Sequence, residues 1–98
     1  LLIGASSSAY PNPADDQTRI KLFLNRVEGV QVAVTIYDFV GKKIRTINIP
    51  VINAVPYEIA WDLTSSSGSK LGRGTYFARV VATDGSSRTE KVIKIAVK

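Results

Sequence analysis

Few side chains in this sequence can do covalent chemistry. Among 98 residues there is no His and no Cys, which removes imidazole bases, thiol nucleophiles, disulfides and nearly every transition-metal site. The run Ser65-Ser66-Ser67 therefore lacks the base that would make a hydroxyl nucleophilic. Asp15 and Asp16 are adjacent, so their carboxylates point apart, and with Asn12 they fall short of the about six oxygens that calcium takes. Gly72 and Gly74 flank Arg73 as in a phosphate-cradling loop, yet no Lys-Ser/Thr follows and the next segment reads as a strand, not a helix. The expectation is a domain without catalytic residues, cofactor or metal.

What remains is binding. Arg88, Lys91, Lys94 and Lys98 place four of the thirteen Lys and Arg in the last eleven residues, within a net charge of +5. That concentration reads either as a solvated face or as a surface for an acidic partner. Nucleic acid is not expected, because the other cations are scattered and no aromatic stripe interleaves them. Tyr10-Pro11-Asn12-Pro13 is the other candidate. Its prolines fix φ and remove two backbone donors, so it is a rigid lead-in to the first long strand or a recognition element.

The elements that must position these residues alternate with period two, and almost nothing repeats at helical spacing. Thr18 to Leu24 puts Ile20, Leu22 and Leu24 on one face, and Val30 to Tyr37 aligns Val32, Val34 and Ile36. Asp38-Phe39-Val40-Gly41 reads as a four- or five-residue hairpin loop, Asp bonding the backbone two residues on and Gly taking positive φ. Lys42 to Ile49 changes parity between Ile44 and Ile47, which predicts a bulge or a strand changing sheets. Pro50 and Pro56 bound a segment outside the ladder. Tyr57, Ile59, Trp61 and Leu63 share a parity that makes Trp61 a core anchor, with Tyr76 packed against it or holding a buried hydroxyl bond. Asp62 to Gly74 is a long surface loop. Asp84-Gly85 predicts a two-residue turn joining Thr75–Thr83 to Ser87–Val97, where Ile93, Ile95 and Val97 face inward and Lys94 and Lys98 outward. Six such strands and a short one near Ser8 to Tyr10 predict an all-β, immunoglobulin-like sandwich of about seven antiparallel strands, with a closed barrel as the alternative. Residues 1–9 are expected to be a linker and 10–98 the sandwich. The absence of Met is expected of a piece of a longer protein, here its C-terminal domain. No apolar run approaches the roughly 18 residues of a spanning helix, so membrane insertion is not expected.

Tyr10-Pro11-Asn12-Pro13-Ala14, Ile36-Tyr37-Asp38 with Gly41-Lys42, Trp61-Asp62 with Gly68, Gly74-Thr75-Tyr76-Phe77-Ala78-Arg79 and Lys91-Val92-Ile93-Lys94 occur in that order. In this the chain resembles the C-terminal sorting domain of the type IX secretion system of Bacteroidetes, and the related immunoglobulin-like module of flagellar hook-capping proteins. The resemblance implies a non-catalytic signal that takes its parent from the periplasm through the outer-membrane translocon to the cell surface. There a β-barrel shuttle protein binds it, and a sortase commonly removes it, although some members, notably components of the surface attachment complex including the sortase itself, keep the domain. It also implies that Pro11, Asn12, Pro13, Gly74, Tyr76, Lys91, Lys94 and Lys98 belong to the recognised surface, with the edge of the last strand open to a partner sheet. The long Trp61 to Gly74 stretch departs from the commonest pattern toward the hook-capping form and bears on cleavage. Two alternatives stand beside this reading: a carbohydrate-binding or spacer module of an extracellular enzyme, whose outward aromatics would be Phe39 and Tyr57, and a hook-cap-like structural module.

Overall fold

A computed structural model describes every residue from Leu1 to Lys98. Seven strands follow one another: β1 (Ser8–Tyr10), β2 (Thr18–Leu22), β3 (Gln31–Tyr37), β4 (Lys43–Ile49), β5 (Tyr57–Trp61), β6 (Gly74–Thr83) and β7 (Arg88–Val97). All pairs between them are antiparallel, in a three-stranded sheet ordered β1-β2-β5 and a four-stranded sheet ordered β4-β3-β6-β7. This is the expected all-β sandwich, two open sheets rather than a closed barrel. No helix is long and apolar enough to cross a membrane.

The core follows from the alternation. Ile20 and Leu22 of β2 with Ile59 and Trp61 of β5 meet Val32, Val34 and Ile36 of β3, Ala78, Val80 and Ala82 of β6, and Ile93, Ile95 and Val97 of β7, all buried. β-branched residues dominate because they pack well on a pleated surface. Trp61 is fully buried, and its indole N–H donates to the Thr64 carbonyl at 3.1 Å, so its polar atom is satisfied inside the core.

The turns show where local chemistry sets register. Asp38 Oδ1 accepts from the N–H of Val40 (3.1 Å) and of Lys42 (2.8 Å). The Asp38 N–H donates to the Lys42 carbonyl at 2.9 Å, and Gly41 takes φ 90°, as the Asp-x-x-Gly pattern predicts. Opposite it, Ile36 pairs with Arg45 and Tyr37 with Lys43, leaving Ile44 as the extra residue of a bulge, which explains the parity change in β4. The β6–β7 turn differs from expectation. Thr83 pairs with Arg88 and the Asp84 N–H donates to the Ser87 carbonyl, so the tip is Gly85-Ser86, one residue further on. The cause is Asp84: its carboxylate takes the N–H groups of Ser86 and Ser87 and the guanidinium of Arg26, and so remains at the strand end. Those bonds, Arg26 first, hold its carboxyl well below the usual carboxylate range.

Residues 1–9, expected as a linker, lie on the sandwich. Ile3 bridges to Leu24, the Gly4 N–H donates to the Phe23 carbonyl, and buried Ser7 accepts from the Phe23 N–H through its hydroxyl at 2.9 Å. The small residues at 4–8 permit this close approach: a Cβ at Gly4 would stand 3.1 Å from the Phe23 carbonyl oxygen.

Candidate docking surface

After β1 the chain leaves the three-stranded sheet through Pro11, Asn12 and Pro13 and reaches the outer edge of β7. There the Asn12 amide acts as a strand residue would: Nδ2 donates to the Lys94 carbonyl (2.8 Å), and Oδ1 accepts from the Ala96 N–H (2.9 Å). Ala14 continues the pairing. Its N–H donates to the Ala96 carbonyl (2.7 Å) and its carbonyl accepts from the Lys98 N–H (2.9 Å), a parallel bridge between Ala14 and Val97. Ala14 is fully buried, while Pro11, Asn12 and Pro13 are exposed. The Pro11 carbonyl accepts from the hydroxyl of buried Thr18 at 2.9 Å. The Pro-Asn-Pro element is thus a strap that crosses from one sheet to the other.

The strap corrects one expectation. The edge of β7 from Lys94 to Lys98 is already occupied, so it is not open to a partner strand. By strand alternation the outward backbone groups left free are those of Arg88, Glu90 and Val92 and the N–H of Lys94.

Tyr76 fills both roles considered for it. Its ring meets Trp61 edge-on, 6.2 Å between centroids at 73°, and its hydroxyl donates to the Gly72 carbonyl at 2.8 Å. Gly74 opens β6 opposite Val97 in open surroundings. The three lysines separate. Lys91 Nζ donates to the Ala5 carbonyl at 3.0 Å, and Lys98 lies 3.6 Å from Asp15. Lys94 is exposed and makes no ion pair.

One feature was not found by sequence reasoning. On the outer face of the four-stranded sheet, Lys43, Tyr37, Phe77 and Lys94 lie side by side in one row. The half-buried Tyr37 and Phe77 are therefore the adjacent outward aromatics, whereas Tyr57 is half-buried on β5 and Phe39 stands alone at a hairpin tip. The parity of Tyr37 and Phe77, opposite to that of the core residues beside them, was the available signal. On the same face Arg79, in the next row, donates to Glu90 at 2.7 Å; this bond, and secondarily the Tyr37 hydroxyl, favours the charged guanidinium. The tip itself, expected from the sequence as a hairpin loop with Phe39 outward, carries Phe39 at 76% and Val40 at 85% exposure.

The sandwich thus presents a sealed edge and a basic, partly aromatic face. The secretion system C-terminal sorting domain family matches residues 8–95, and the chain belongs to that family. Among solved structures, the chain is similar to dimeric latent PorU from Porphyromonas gingivalis, at 30% identity and a TM-score of 0.76 over 94% of this chain and 9% of that one. It is also similar to PorZ, an essential surface component of the type IX secretion system of the same organism, at 24% identity, TM-score 0.63, 95% of this chain and 11% of that one. A third is FlgD, the hook-capping protein of Xanthomonas campestris, at 20% identity, TM-score 0.58, 96% of this chain and 60% of that one. The last two likenesses are of fold alone. The chain spans about a tenth of the length of PorU and of PorZ. No curated protein sequence matches it.

Proposed function

We propose that this chain directs a parent protein across the outer membrane by the type IX secretion system, and that a β-barrel shuttle protein at the surface binds it. The observation that carries this reading is the family match over residues 8–95, supported by the likeness to the corresponding tenth of PorU. The module works by being bound. Pro11, Pro13 and Lys94 provide contact atoms, being exposed and, for Lys94, unpaired. Asn12, Gly74, Tyr76, Lys91 and Lys98 hold the shape that presents them, through the strap, the Trp61 contact and the bonds to Ala5 and Asp15. The test is an exported fluorescent reporter, with and without the chain at its C-terminus, in a bacterium that has the system. Surface display that depends on the chain is expected; equal display without it refutes the reading. Removing only Val92 to Lys98 is a poorer test, because Ile93, Ile95 and Val97 are core residues and their loss unfolds the module.

A further inference from the structure

One end of the sandwich gathers cations around an exposed apolar tip. Phe39 and Val40 project from the β3–β4 hairpin, and beside them a cleft of about 190 Å³ is lined by Asp38, Arg73 and Thr75 among others. Lys42, Lys43, Arg73 and Lys94 are all exposed there or along the adjoining sheet row, and none has a carboxylate within ion-pair distance. Of the acids of that region, Glu90 pairs with Arg79 and Arg88 and Asp15 with Lys98, while Asp38 accepts from its own loop backbone and pairs with no cation. Exposed Phe and Val side by side, in a loop closed by its own hydrogen bonds, form a rigid knob. Such preorganisation lowers the ordering cost of association.

We infer that the Phe39-Val40 knob, with Lys42, Lys43, Arg73 and Lys94 around it, is a docking surface for an acidic protein partner that offers an apolar pocket. Charge complementarity sets the partner's sign, since four cations without an ion pair outnumber Asp38, the one carboxylate at the tip. The aliphatic Val40 decides for a protein pocket over a sugar, because it has no ring face to stack. The sheet row decides for a protein over a lipid surface: Lys43 and Lys94 stand three strand spacings apart, roughly 14 Å, with Tyr37 and Phe77 between them, so the charge extends as a flat field behind the tip.

This inference rests on the export reading, and one experiment separates the two. The reporter that carries the chain is compared with versions bearing Phe39→Asp/Val40→Asp and Lys42→Glu/Lys43→Glu. Both pairs of side chains are solvent-exposed, and the purified variants are expected to melt within a few degrees of the parent chain. Surface display is expected to fall about tenfold or more for the first pair and several-fold for the second, with intact reporter retained inside the cell. Chain-dependent display that both variants leave at full level overturns the docking surface and leaves the export reading standing. Display without the chain overturns both. Cosedimentation with phosphatidylglycerol vesicles that Phe39→Asp/Val40→Asp abolishes reassigns the knob to lipid and overturns the protein partner.

Discussion

Replacing Asn12 by Ala removes two hydrogen bonds between the strap and β7 while leaving both prolines in place. Each such bond contributes about 0.5–1.5 kcal/mol net, and the freed Lys94 carbonyl and Ala96 N–H lie at the surface, where water replaces the amide. The expected loss is about 1–2 kcal/mol, and at roughly 4–8 °C per kcal/mol for a domain of this size the melting temperature falls by about 5–15 °C. Asn12→Asp separates the two bonds. A carboxylate still accepts from the Ala96 N–H but turns an oxygen toward the Lys94 carbonyl, so this variant is at least as unstable at pH 7 and regains stability once protonated below about pH 4. Thermal unfolding by circular dichroism reads the first effect, and amide hydrogen exchange locates it: Ala96 and Lys98 lose protection, while residues in the β3–β6 ladder keep theirs. Asn12→Ala melting within about 2 °C of the parent, with Ala96 still protected, refutes the strap as a stabilising element.

Four further outcomes are expected. Ile36→Ala, at a fully buried site on β3, costs about 2–5 kcal/mol in urea unfolding. Tyr76→Phe, losing the bond to the Gly72 carbonyl, costs about 0.5–1.5 kcal/mol and leaves the near-ultraviolet signal of Trp61 largely intact. Gly41→Ala forces a Cβ into positive φ and destabilises by about 1 kcal/mol, again by denaturant midpoint. Asp84 has a lowered folded-state pKa, so its contribution is complete above about pH 4 and is lost as the pH falls toward that lower value. Asp84→Asn flattens this acid limb of the stability profile, and an unchanged slope between about pH 4 and pH 2 contradicts the assignment.

The alternation made the core legible. Val32, Val34 and Ile36, or Ile93, Ile95 and Val97, follow from period two alone, because a strand with one wet face must sort its side chains that way. Asp38 and Gly41 revealed their turn since that information is local. Asp84 misled by one residue, because its carboxylate answers to Arg26, 58 residues away in sequence. The strap was legible only as rigidity. Two prolines show that the chain cannot lie in a central strand, but not that the Asn12 amide between them seals an edge made 82 residues later. Lys91, Lys94 and Lys98 read from the sequence as one basic set and part in the structure, since the partners of Lys91 and Lys98, Ala5 and Asp15, come from remote segments. The Tyr37-Phe77 row was hidden for the same reason: its members become neighbours only when β3 pairs with β6.

The parallel bridge between Ala14 and Val97 has a mechanical meaning. A load hung from the N-terminal end of this module and resisted at its C-terminal end pulls the strap and β7 in opposite directions along their length. The bonds from Asn12 and Ala14 to Lys94, Ala96 and Lys98 then share the force in shear, instead of opening one after another as an unzipping hairpin would. A load carried in that direction is therefore met by all of these bonds together.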